Sequence, residues 1–189
     1  AITNSFIDYC EFNLKQREYV LITGHRRENF GKGFKNICVA IKELATLHPE
    51  VIFIYPVHLN PNVREPVNTI LKDLTNVKLI EPQDYPHFVY LMMNAKLILT
   101  DSGGIQEEAP SLGKPLILMR DETERPEVLQ AGLMEIVGTD LKKIIEAVDS
   151  LLTNSEKYES MAKTTNLYGD GEAGKRIFDI LQKDGSDNE

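Results

Sequence analysis

Six short apolar runs, each followed by a stretch of helical periodicity, constrain the fold of this chain more than any other feature. The runs are Tyr19 to Thr23, Val51 to Val57, Val77 to Ile80, Lys96 to Thr100, Pro115 to Met119 and a weaker Glu135 to Val137. Several are near-continuous in Val, Ile and Leu, the pattern of strands covered on both faces. Between them, Phe34, Ile37, Cys38, Ile41, Leu44 and Ala45 fall on one helical face, as do Val63, Val67, Ile70, Leu71 and Leu74. A third stripe joins Leu141, Ile144, Ile145, Val148, Leu151 and Leu152 behind a Thr139 or Asp140 cap. Strands alternating with helices imply right-handed βαβ crossovers, hence an α/β fold with a parallel sheet and helices on both faces.

Such sheets collect ligands at the carboxyl ends of their strands. Gly24 and His25 follow the first run, His58 the second, Pro82 and Gln83 the third, Asp101 and Ser102 the fourth, and Arg120 and Asp121 the fifth. The fourth run breaks on Ser102-Gly103-Gly104 and passes into a helix carrying Glu107 and Glu108. On its own this stretch has two readings. One is a phosphate cradle, in which glycines admit an anion to the backbone, a helix start supplies positive potential, and Glu108 takes the hydroxyls of a ribose. The other is a turn with a serine cap and two dipole-compensating glutamates. The gathering of His, Arg, Ser and Gly at one sheet edge favours the cradle.

The 189 residues, 42% hydrophobic, suit one well-filled core, and a net charge of −8 with dispersed cations argues against a nucleic-acid partner. No apolar run approaches the ~20 residues of a membrane helix, so a soluble, cytoplasmic protein without a membrane partner is expected. His25-Arg26-Arg27 is the one dense basic spot; it reads as a local anion clamp or as a loop whose arginines pair with Glu28 and nearby acids. Cys10 and Cys38 are expected to be buried free thiols, with no metal knuckle. Residues 1–16 read as the start of a connection from another domain and 183–189 as a flexible tail, with no initiating methionine.

Four segments carry a resemblance. Thr23-Gly24-His25-Arg26-Arg27-Glu28-Asn29, Tyr55-Pro56-Val57-His58-Leu59-Asn60-Pro61, Thr100-Asp101-Ser102-Gly103-Gly104-Ile105-Gln106-Glu107-Glu108 and Thr123-Glu124-Arg125-Pro126-Glu127 resemble, in order and spacing, the carboxy-terminal half of the non-hydrolysing bacterial UDP-N-acetylglucosamine 2-epimerases. Tyr168-Gly169-Asp170-Gly171 is similar to that family's closing motif. The resemblance implies the second Rossmann-like domain of a two-domain GT-B enzyme, its amino-terminal catalytic domain absent from this chain. It implies an isomerase acting on UDP-N-acetylglucosamine through elimination and re-addition of UDP, with no nicotinamide or metal cofactor, serving surface polysaccharide synthesis, and a homodimer as the full-length protein. The isolated domain is expected to be inactive, because the missing domain carries the acids that move the proton at C2. Residue by residue, the resemblance gives His25 a catalytic place at the diphosphate, Ser102, Gly103 and Gly104 the phosphates, Glu108 the ribose, Gln83 and Phe88 the uracil, and Arg125 the sugar or its phosphate. Arg26 and His58 match residues that, in some members, hold a second, activating UDP-N-acetylglucosamine. Two other readings are a GT-B glycosyltransferase domain and a stand-alone UDP-sugar-binding module; the Thr23 to Asn29 motif looks like the epimerases and not the transferases.

Overall fold

The alternation becomes a six-stranded, wholly parallel sheet in a computed structural model that describes residues 17–165 and 167–186. The strands are β1 (Tyr19–Thr23), β2 (Ile52–Pro56), β3 (Val77–Ile80), β4 (Leu97–Thr100), β5 (Leu116–Leu118) and β6 (Met134–Ile136). They lie in the order β3-β2-β1-β4-β5-β6, two βαβαβ halves that diverge between β1 and β4. The expected strands are all present. Their ends differ by a residue in places: β6 begins at Met134, which pairs with Leu116, and so sits one residue earlier than the apolar run suggested.

Eight helices connect and flank the described strands: α1 (Lys32–Leu47), α2 (Pro61–Leu71), α3 (Tyr85–Asn94), α4 (Ile105–Ser111), α5 (Pro126–Gln130), α6 (Leu141–Thr153), α7 (Ser155–Met161) and α8 (Ala173–Ser186). Side-chain alternation along the strands divides the interior into two layers. Val20, Ile22, Phe53, Tyr55, Leu97, Leu99, Ile117 and Met119 face the layer formed with α1, α2 and α6, while Tyr19, Leu21, Ile52, Ile54, Ile98, Leu116 and Leu118 face the one formed with α3, α4 and α5. The α1 stripe is buried throughout. On α6, Ile144, Val148 and Leu151 are buried and Leu141, Ile145 and Leu152 pack partly against them; on α2, Val63, Val67 and Leu71 are buried, with Ile70 and Leu74 beside them. Asp140, rather than Thr139, caps α6, its side chain accepting from the Lys143 N–H at 3.0 Å.

Cys38 is buried in the first layer, and burial pushes its thiol up to about 12, an inert core sulfhydryl as the stripe predicted. Cys10 and the expected connection at 1–16 lie outside the described residues. At the other end α8 keeps a helical backbone through Ser186, so its last turn overlaps the stretch read as a tail. Ile177, Phe178, Ile180 and Leu181 of α8 are all more than half exposed. No helix among the described residues is long and apolar enough to cross a membrane.

Candidate functional site

The point where strand order reverses opens a crevice at the strands' carboxyl ends. Two segments flank it. Thr23 pairs with Thr100 as the last register position of β1 and β4, so the chain leaves the sheet side by side as Gly24-His25-Arg26 and as Asp101-Ser102-Gly103. The two segments, some 75 residues apart in sequence, are laced together beyond the ladder: Arg26 N–H donates to Asp101 Oδ2 at 2.9 Å and Arg26 Nε to the Asp101 carbonyl at 3.1 Å. Tyr55, fully buried on β2, donates its hydroxyl to the Gly24 carbonyl at 2.8 Å. Burial raises that phenol well above its ordinary value, so it stays a donor.

The glycine turn is not the serine-capped turn. Gly104, in right-handed helical conformation with φ −63°, occupies the cap position of the short helix α4 without a side-chain bond. Ser102 N–H donates instead to Thr100 Oγ1 at 3.0 Å, and its carbonyl accepts from Gln106 Nε2 at 3.2 Å. Neither Gly103 nor Gly104 uses a positive φ, so what they contribute is space. A Cβ on Gly103 would lie 3.3 Å from Arg26 Nη2, which fixes the Arg26 guanidinium directly against the turn. A cation and a side-chain-free backbone thus meet at one open surface, with the Glu124 carboxylate, already held by Arg120, at its border 3.9 Å from that Cβ position.

His25 is exposed at the rim of this surface. Its ring stacks on His58 from the end of β2, centroids 5.2 Å apart and 14° from parallel, and its Nδ1 stands 3.9 Å from Asp101 Oδ1. His58 Nδ1 accepts from the Asn60 N–H at 3.1 Å. The two imidazoles and Arg26 bring three of the sequence-selected basic groups to the crevice. Arg27 stays exposed, and Glu28 pairs with neither arginine of its own loop: its carboxylate receives Arg120 Nε from the end of β5 at 3.0 Å. The pairing expected within the basic loop is therefore replaced by a tie across the sheet edge, because Arg120 is buried and needs both Glu28 and Glu124 to satisfy its fork.

A second group lies along α4 and α3. Glu108, one turn into α4, is half-buried, and burial raises its carboxyl above the ordinary 4.5, opposed by the Tyr85 hydroxyl at 3.4 Å. Gln83 is partly buried between β3 and α3, donating to the Glu81 carbonyl at 2.7 Å. Phe88, on the first turn of α3 behind the Asp84 cap, packs partly into the second core layer. Arg125 donates its Nε to Glu107 Oε1 at 2.6 Å and its Nη1 to the Glu124 carbonyl at 2.9 Å. The carboxylates nearest it in sequence, Glu124 and Glu127, do not receive its side chain. Those are engaged elsewhere, Glu124 by Arg120 at 3.0 and 3.1 Å and Glu127 by the Tyr168 hydroxyl at 2.7 Å. Glu107 is thereby occupied by Arg125 while Glu108 keeps its carboxylate for other donors.

Beside the basic crevice runs a cleft of about 320 Å³ lined by Glu28, Asn29, Arg120, Asp121, Glu122 and Thr139. Three carboxylates and an arginine already held by two glutamates make it a poor place for a diphosphate. No cluster of metal-ligating side chains occurs among the described residues.

Against this geometry the comparisons are specific. A family profile described as UDP-N-acetylglucosamine 2-epimerase matches residues 3–182. The chain belongs to the UDP-N-acetylglucosamine 2-epimerase family. A UDP-N-acetylglucosamine 2-epimerase from Yersinia pestis is 59% identical over 166 residues, covering 88% of this chain and 44% of that protein. The crystal structure of UDP-GlcNAc 2-epimerase from Neisseria meningitidis bound to UDP-GlcNAc superposes with a TM-score of 0.90 at 49% identity, covering 95% of this chain and 48% of that one. The chain spans about half the length of these relatives. The C-terminal domain of a group 1 glycosyltransferase from Francisella tularensis, 14% identical with a TM-score of 0.59, shares the fold. The Rossmann-like domain of GT-B epimerases and transferases is therefore the architecture, and sequence places this member with the epimerases. Asn29, Asp101 and Gln106, within the family segments, and Tyr85, outside them, are site neighbours that the sequence left without a role. Asp101 directly follows β4, and the other three lie in the helical turns that follow β1, β4 and β3.

Proposed function

We propose that this chain is the UDP-binding half of a UDP-N-acetylglucosamine 2-epimerase and interconverts, as part of the whole enzyme, UDP-N-acetylglucosamine and UDP-N-acetylmannosamine. The observation that carries this reading is the meeting of the His25-Arg26 and Ser102-Gly103 segments at the sheet's switch point in a chain of that family. The diphosphate lies on Ser102, Gly103 and Gly104 beneath Arg26 and beside His25. The ribose hydroxyls donate to Glu108, the uracil packs between Gln83 and Phe88, and Arg125 reaches the sugar end. In the forward direction the proton at C2 is removed and the C1–O bond to the phosphate breaks, giving 2-acetamidoglucal and UDP. Charge grows on the departing phosphate, and preorganised donors at the turn stabilise it, His25 being placed to give the leaving oxygen a proton. Re-addition of UDP at C1 with the original anomeric configuration, together with protonation of C2 on the face opposite to the one its proton left, gives the C2 epimer. No acid or base for C2 is assigned to this chain; that work belongs to the other half of the enzyme, which the reading takes to function as a cytoplasmic homodimer.

Incubation with UDP-N-acetylglucosamine in deuterated water tests the division of labour. The 189-residue chain alone leaves C2 unlabelled, whereas the full reading frame incorporates deuterium and forms the manno epimer. Labelling by the chain alone, or sugar transfer to an acceptor without labelling by the full protein, contradicts the reading.

The stacking of His58 on His25 favours a second use of the same edge: a second UDP-N-acetylglucosamine held by His58 and Arg26 against the first site, activating the enzyme. In the full protein His58→Ala then weakens activation by UDP-N-acetylglucosamine while leaving UDP affinity largely intact, and equal loss of both contradicts it.

A further inference from the structure

Asp101 is a carboxylate in the middle of a surface read as binding phosphate. Exposed there, it would repel the ligand; it is instead fully buried. A buried carboxylate is tolerable only when its lone pairs are filled, and those of Asp101 are filled almost entirely by the opposite segment. His25 N–H donates to Oδ1 and Oδ2 at 3.1 and 3.0 Å, Arg26 N–H to Oδ2 at 2.9 Å, and Asn29 Nδ2 to Oδ2 at 3.1 Å. Asn29, itself buried, passes the tie on to the Met119 carbonyl beyond β5 at 3.1 Å. The geometry has a direct consequence. With both backbone N–H groups of His25 and Arg26 drawn inward to one carboxylate, their side chains are left on the outer surface, the imidazole 43% exposed and the guanidinium against Gly103.

We infer that Asp101 is a positioning residue that holds the His25-Arg26 loop ready over the phosphate turn before any ligand arrives. The inference rests on the nucleotide reading above and goes beyond it by assigning the preorganisation of the two cationic side chains to a group that never touches the ligand. Charge-assisted bonds from main-chain donors are strong and directional, so the ionised Oδ2, which accepts from both consecutive residues, holds them more firmly than a neutral oxygen would. An asparagine at 101 can keep an oxygen at the Oδ2 place for Arg26 N–H and Asn29 Nδ2, but it removes the charge and turns an NH2 toward the His25 N–H, itself a donor, at the Oδ1 place.

The test is titration of the 189-residue chain and its Asp101→Asn variant with UDP and with uridine, which lacks the diphosphate. The expected result is an affinity for UDP lower by about tenfold or more in the variant, with uridine affinity changed by less than about twofold. UDP affinity unchanged, or equal losses for both ligands, overturns the inference, because a role confined to general stability does not discriminate diphosphate from nucleoside. A second measurement holds even where the variant does not fold. In the unmodified chain without ligand, the His25 and Arg26 amide protons exchange at least about 100-fold more slowly than in an unstructured peptide. Free exchange that slows only when UDP is added shows a loop organised by its ligand and overturns the inference. An unmodified chain that binds neither UDP nor uridine contradicts the nucleotide reading instead, and amide exchange still decides whether Asp101 preorganises the loop.

Discussion

Glu108 and Glu107 are adjacent on one short helix and have opposite fates. Glu107 is consumed by Arg125 and Glu108 is left facing Tyr85, a division that makes Glu108 the carboxylate with acceptor capacity to spare for a diol. Glu108→Ala is therefore expected to weaken UDP binding by about 1.5–3 kcal/mol, the range for losing hydrogen bonds to a charged acceptor, read by isothermal titration. An unchanged affinity removes Glu108 from the ribose site. Glu124 gives a prediction of stability instead. Its hydrogen bonds from Arg120 hold its carboxyl below the ordinary 4.5. A carboxyl lowered by folding stabilises the fold above its unfolded value and loses that contribution as pH falls through the folded one. The Tm difference between the unmodified chain and Glu124→Gln is thus present at neutral pH and shrinks as the pH drops below 4.5. A difference that widens on acidification contradicts the Arg120 pairing.

The elements were the most legible part of the sequence, since periods of two and of 3.6 residues are local properties. The α1 stripe is buried as its spacing requires, and the six strands follow their apolar runs to within a residue or two. The register of β1 on β4 places Ile22 and Leu99 side by side in one layer, both fully buried. Truncation of either to alanine is expected to cost about 2–5 kcal/mol in denaturant unfolding, with the slope of the transition unchanged. What sequence did not disclose are contacts made only when distant strand ends meet. Asp101 and Arg26 lie 75 positions apart, Glu28 and Arg120 lie 92, and no local pattern distinguishes a carboxylate that gathers N–H groups from one that faces solvent. Arg125 shows the same limit at shorter range, for its partner lies 18 residues away on α4 and not beside it.

At the scale of the molecule, the fold supplies a site with cations and open backbone on one side of the switch point and the paired groups of α3 and α4 on the other. The chain spans about half of its relatives, and on the proposed reading the nucleotide is held here while the proton at C2 is moved elsewhere. One surface of the described residues adds little to stability as it stands. Phe178 and Leu181 of α8 are 62% and 66% exposed, and Phe178→Ser with Leu181→Ser is expected to change the unfolding free energy of the 189-residue chain by under about 1 kcal/mol. A loss comparable to that of Ile22→Ala contradicts the exposure of that face.

The crevice between β1 and β4 is the proposed nucleotide site. Titration of the isotopically labelled chain with UDP, followed by backbone amide shifts, tests it most directly. The expected perturbations centre on residues 24–27, 83–88 and 101–108, with saturation at a single stoichiometry. Perturbations confined to the acidic cleft at Arg120, Asp121 and Glu122, or none at millimolar UDP, would contradict it.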